Sequence, residues 1–426
     1  MIGEDEMTTR EKMAPFPVDP SEIDPVDILG DYVRQHAFEV CAEWAKQKPV
    51  YVDVDGSIEV LCTRYDDVSE VYRHPEIYSA AIPDIEGYSR FNKTMGVTQL
   101  AQMEGEPHHR LRKLMGPAFS PRSVKKLSDE ITVIVDEMID AIEAGPNEFD
   151  AMKMFADHLI VKTLLSAMFK LNDEQRQVML RMAEVLAAYS NLRRGQPVPE
   201  SHVTAFEETS QVIRDLIAAR QAHPGDDFIS DLINARDEGD ALSDEELFDQ
   251  VFMVCIAALT TTPTTMGGIL LTLNRHPDQL EELKRNIELA GDAVDECQRI
   301  HSHRVVGAFA RFATRDVTLG GTKIYKHMPV HVSIQAGNLD PEQYPDPLTF
   351  DIKRKPRGLL AFGLGVHHCM GARLAKLVLT IALTRFVQRL PEATLVDPDF
   401  VPHYGGGAGG RRIAELPMRA RPEAGR

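Results

Sequence analysis

The period of the hydrophobic positions changes along the chain, and each period predicts an element. Residues 50–62, VYVDVDGSIEVLC, alternate apolar and polar side chains about Asp55-Gly56, which predicts a β-hairpin. Leu127, Ile131, Ile134, Val135, Met138 and Ile142 recur at helical spacing, and Gly145-Pro146 stops that helix. Ser243 followed by Glu246 is a capping box, opening a helix at about Asp244 that runs through VFMVCIAAL into TTTPTT. Weaker strand patterns cover 311–319 and 324–334. A last helix starts just after Cys369 and ends before Pro391. The tail HYGGGAGGRRIAELPMR predicts a glycine-rich hairpin tip with strand flanks. Residues 1–25, rich in Pro and Asp, predict an irregular surface segment. No repeat or low-complexity linker divides the chain, so residues 1–426 are expected to form a single, mainly α domain with small β-sheets.

Composition narrows the partners. With 47 Lys+Arg against 65 Asp+Glu the formal charge is −18, which argues against nucleic acid or an anionic membrane as a broad partner. The five cysteines, Cys41, Cys62, Cys255, Cys297 and Cys369, contain no C-x-x-C, so neither a disulfide scaffold nor a four-cysteine zinc site is expected. The first residues are polar and acidic and lack the apolar core of a signal peptide. The longest apolar run, 251–259, is far short of the roughly 20 residues that span a bilayer. A soluble, cytoplasmic protein is the expectation.

The chemistry concentrates in residues 362–376, FGLGVHHCMGARLAK. Gly363, Gly365 and Gly371 surround Cys369 in a loop that closes onto a helix N-terminus. Glycines permit backbone conformations and approaches that a Cβ forbids. Helix N–H groups favour a thiolate, lowering its pKa and making it a good metal ligand. Three other readings are open from the residues alone: a buried structural cysteine, a dinucleotide loop lacking its third glycine, and a zinc site built on His367, His368 and Cys369.

The segment resembles the haem-binding loop of the cytochrome P450 family, F-x-x-G-x-x-x-C-x-G, matched by Phe362, Gly365, Cys369 and Gly371. The resemblance implies the P450 fold, with haem b between a central oxygen-binding helix and the helix after the cysteine loop. It implies Cys369 as axial iron ligand, a thiolate that donates electron density through iron and favours O–O cleavage. Phe362 and Gly363 belong to the same cofactor loop.

The rest of the chain extends the likeness. Glu296 and Arg299 match the family's Glu-x-x-Arg, and Arg354 the third member of its buried Glu–Arg–Arg network, implying a structural role. His108 and Arg112 match a His-x-x-x-Arg, and with Arg311 and His367 are implied to hold the haem propionates. Arg299 and Arg311 stand further apart than in some bacterial relatives. In the oxygen-binding helix, Ala258 replaces the usual glycine, Thr260 the usual acid, and Thr261 keeps the alcohol; Pro263 is expected to kink the helix and free the carbonyl of Leu259. Thr261 and Thr260 are the candidate catalytic residues.

The implied activity is a monooxygenase inserting one oxygen atom from O2 into a small hydrophobic molecule. Electrons would come from NAD(P)H through ferredoxin reductase and ferredoxin, the latter docking on Arg110, Lys113, Arg122, Lys125, Lys126, Arg373 and Lys376. The missing acid at Thr260 keeps open a peroxygenase or rearrangement catalyst, and a haem-binding protein without turnover is the further alternative. Segments 81–102 and 188–202, the central helix near Ala257, and segments 305–309 and 403–410 are implied to line the pocket, with Arg90, Arg193 and Arg194 as candidate partners for an acidic group.

Overall fold

The structure, a computed structural model, describes residues 16–83, 100–189, 192, 196–236, 239–406 and 409–422. Helices dominate, and the predicted local signals appear where the residues demand them. Asp55 and Gly56 both take positive φ, 53° and 81°, and turn strand Val50–Val54 back onto Ser57–Cys62 in register Val54↔Ser57. This hairpin forms part of a six-stranded sheet. Its strand order is Ile23–Asp24, Val50–Val54, Ser57–Cys62, Pro329–Val332, Arg311–Ala313, Tyr78–Ser79.

Two expectations need correction. The strand patterns at 311–319 and 324–334 resolve into four short strands, Arg311–Ala313, Val317–Leu319, Thr322–Ile324 and Pro329–Val332. Gly320 and Gly321, both at positive φ, fold the middle pair into its own hairpin. Within the supposedly irregular first 25 residues, Ile23–Asp24 is a strand, paired in parallel with Tyr51 and Val52.

Helix Ser128–Ala144 buries Ile131, Val135, Met138, Ile139 and Ile142 on one face and ends at Gly145. The capping box is complete: the Ser243 hydroxyl accepts from Glu246 N–H, and the Glu246 carboxylate accepts from Ser243 N–H. It opens the longest helix, Asp244–Arg275, which continues unbroken through Pro263. Among the described helices this one is long and apolar enough to cross a membrane. It nevertheless runs through the core, with Val251, Phe252, Cys255, Leu259 and Met266 to Leu273 buried. The last helix, Ala372–Arg389, packs on it and on Ser128–Ala144 and Ala290–Ile300. The tail forms the predicted hairpin, Tyr404–Gly405 against Arg412–Ile413. Arg90, Arg193 and Arg194 lie outside the described residues.

Candidate active site around Cys369

The loop holding Cys369 is fixed from both sides. Cys369 N–H donates to the Phe362 carbonyl at 2.9 Å, closing a tight turn over residues 362–369. Gly363 and Gly365 have φ of 66° and 69°, and a Cβ on Gly365 would stand 2.5 Å from the Tyr72 carbonyl oxygen. Glycine is therefore required at 365, where the loop presses on helix Tyr65–Arg73. Gly371 departs from the expectation. Its φ is −78° and an added Cβ would make only ordinary contact, 3.9 Å from Cys369 Sγ, so the backbone imposes no need for glycine there.

The Cys369 thiol is also held above its ordinary pKa, not below it. Burial pushes it up, and this outweighs the N–H groups of Gly371 and Ala372 and the nearby Arg112 guanidinium, which all favour the thiolate. The helix N-terminus is where the sequence places it, but desolvation is the larger effect.

Behind the loop, Glu296 and Arg299 are both fully buried and paired through two contacts of 2.8 Å. Arg354 Nε reaches Glu296 at 3.0 Å. The two guanidinium groups then donate to the carbonyls of Asn338, Pro345, Asp346, Pro347 and Thr349. This network fastens the meander that leads to the cysteine loop, which is the structural role implied by the sequence.

Helix Gly105–Met115 supplies His108 and Arg112. His108 is buried, both ring nitrogens lack a hydrogen-bond partner, and burial pulls its pKa down to about 4. Its ring lies 4.3 Å from that of His367, at an interplanar angle of 39°. Arg311 is buried on the sheet, 5.7 Å over the Tyr72 ring, with Nη1 unpartnered and its pKa lowered by burial. Arg112 donates to the His368 carbonyl. Buried donors without acceptors are costly. Two such residues, with Arg112 beside the exposed Cys369 thiol, fit a thiolate-bound iron cofactor carrying acidic groups. His367 differs from the expected free donor: its Nε2 is 3.1 Å from the Glu104 carboxylate. Glu104 was not legible as a site residue, because its partner lies 263 positions away in the chain.

Thr260 and Thr261 stand on the central helix. Ala257 is exposed and Ala258, Thr260 and Thr261 are half-buried, on a helix whose following turns are buried. The Thr261 hydroxyl donates to the Ala257 carbonyl at 3.0 Å. Thr264 and Thr265 do the same to Thr260 and Thr261 at 2.7 and 2.8 Å. Pro263 has no N–H to offer Leu259. After Asp249 the helix carries no acidic residue.

Among the seven basic residues read as a docking face, Arg110, Lys126 and Lys376 are paired with acids. Arg110 binds Asp240 and Glu246, Lys126 binds Asp226 at 3.2 Å and Lys376 binds Asp295. Arg122, Lys125 and Arg373 are exposed, where helix Pro121–Lys126 packs on the last helix.

Comparison with known proteins gives one answer. The family model for cytochrome P450 matches residues 31–395. Cytochrome P450 107B1 of Saccharopolyspora erythraea is 33% identical over 81% of this chain and 85% of its own. The steroid C26-monooxygenase of Mycobacterium tuberculosis is 29% identical over 89% and 93%. The solved structure of the bacillaene polyketide synthase cytochrome P450 PksS of Bacillus subtilis superposes with a TM-score of 0.84 at 26% identity, covering 93% of this chain and all of that one.

Proposed function

The chain belongs to the cytochrome P450 family, and on that premise we propose that it inserts one atom of O2 into a largely apolar organic molecule of steroid or polyketide type. Membership makes it an oxidoreductase with haem b as cofactor. The observation that carries the site assignment is the pair of buried, unpartnered donors, His108 and Arg311, on the elements flanking the Cys369 loop.

When bound, the haem supplies oxygen activation. Cys369 would be its thiolate ligand, with Phe362, Gly363 and Gly365 shaping the loop and Gly371 following it. His108, Arg112, Arg311 and His367 would hold its acidic groups. The Thr261 hydroxyl donates to Ala257 and keeps lone pairs with which to hold a water; to relay a proton it would turn its O–H from Ala257 toward the acceptor and take a proton from that water in exchange. With no acid on that part of the helix, the proton must come from solvent, from the substrate or from another segment. Ala257, Ala258, Ala308 and Phe309, on segments the resemblance gives to the pocket, would offer the substrate apolar contacts. Electrons would arrive from NAD(P)H through a ferredoxin reductase and an acidic ferredoxin docking on Arg122, Lys125 and Arg373, in the cytoplasm.

The reduced carbon monoxide complex tests the assignment. It should absorb at the long wavelength of thiolate ligation, and Cys369→Ser should lose that band. A variant keeping it would remove Cys369 from the iron. Threonine at the acid position favours the peroxygenase reading, which efficient peroxide-driven turnover with negligible reductase-driven turnover would establish.

A further inference from the structure

We propose that Glu104 is a positioning residue of the haem site, acting through His367. This rests on the haem reading above. Glu104 occupies the N-cap position of helix Gly105–Met115, yet its side chain does not cap that helix. Its Oε1 accepts instead from Ala80 N–H at 2.6 Å and pairs with His367 Nε2 at 3.1 Å. One carboxylate thus ties together the strand end after Ser79, the helix bearing His108 and Arg112, and the loop two residues before Cys369.

The location needs explaining. A carboxylate among groups that would bind acidic substituents repels those substituents, and an ordinary N-cap would avoid this with Ser, Thr or Asn. Burial raises the Glu104 pKa, but the bonds from His367 and Ala80 outweigh it and leave the group below its usual value, so the side chain is an anion. What it gains is orientation. The His367 side chain is only 6% exposed, and its ring is held by Glu104 at one nitrogen and by the His108 ring on one face. A carboxylate that fixes the orientation of a histidine beside a cofactor preorganises the site; for a metal-ligating histidine the loss of such a partner costs about ten- to a hundredfold in affinity, and the lower end is expected for a histidine that does not touch the metal.

The test uses the haem-loaded protein and the transfer of haem to excess apomyoglobin, followed in the Soret band. Glu104→Ala should release haem on the order of tenfold faster than wild type. Glu104→Gln, whose amide oxygen still accepts, should stay near the wild-type rate. The double variant Glu104→Ala/His367→Ala should release haem no faster than His367→Ala alone, because the two residues act as one unit. If Glu104→Ala does not fold, Glu104→Asp, one methylene too short to reach both partners, carries the same comparison. Unchanged or slower release in the folded variant would overturn the proposal, as would full additivity in the double variant. A wild-type protein that binds no haem would instead overturn the family-based site.

Discussion

His301 Nδ1 lies 2.2 Å from the position that a Cβ on residue 268 would occupy, so Gly268 on the central helix and His301 after Arg299 fit together only as a pair. The other ring nitrogen of His301 is 3.2 Å from the Tyr404 hydroxyl. Glycine inside a helix costs about 1 kcal/mol relative to alanine, so at an open site Gly268→Ala would stabilise. Here overpacking wins. The substitution should destabilise by about 1–3 kcal/mol, and adding His301→Ala should recover most of the loss. Thermal denaturation of both variants checks the sign; a stabilised Gly268→Ala would show that the ring moves aside freely.

Arg299 should be the least replaceable cation in the chain. Removing one partner of a buried ion pair costs about 3–5 kcal/mol, against a total stability of roughly 5–15 kcal/mol. Arg299→Ala should therefore yield little soluble, haem-loaded protein. Arg354→Ala should be milder, since the Arg354 side chain is 15% exposed and Glu296 keeps its bidentate partner. Soluble yield and haem content per chain measure both.

Thr261→Ala should lower the product formed per NAD(P)H consumed and raise peroxide release. The helix around it holds no acid that could substitute for the lost hydroxyl. Thr260→Ala should change coupling less. Equal, fully coupled turnover in Thr261→Ala would remove the residue from proton delivery.

Acid should weaken the fold through two half-buried histidines whose Nδ1 atoms are shut off from solvent. Burial holds His303 down at about 3 and His301 well below its ordinary value, with Arg304 beside the first and Arg411, Arg275 and His303 beside the second. Their unfolded value is about 6.5, so below that pH the unfolded chain binds more protons. This contribution is complete above pH about 6.5 and is lost as pH falls toward the folded value. The urea midpoint should drop between pH 7.5 and 5, and His303→Gln should drop less. An identical slope in that variant would assign the acid sensitivity elsewhere.

Charge reversal at Arg373 or Lys125 should slow reduction by an acidic ferredoxin at low ionic strength, and the difference should shrink as salt is added. Stopped-flow reduction at two salt concentrations gives the comparison. Arg110→Glu belongs to another class: it breaks the link to Asp240 and Glu246 and should show first as lost stability.

Features decided by neighbouring residues were legible in the sequence. The Asp55-Gly56 turn, the Ser243–Glu246 capping box and the stop at Gly145 each depend on hydrogen bonds or sterics within a few positions, and all three stand where the pattern puts them. The Cys369 loop was legible because its glycines and its thiol lie within ten residues of one another. Only the tertiary structure could decide what meets what across the fold. Glu104 finds His367, Gly268 admits the His301 ring, and Arg110, read as a free surface cation, is neutralised by acids 130 and 136 positions away. The Cys369 pKa, expected to be lowered by the helix N-terminus, is raised instead, for the same reason. Helix N–H groups act locally and are visible in the spacing, whereas burial is set by every segment packed around the thiol.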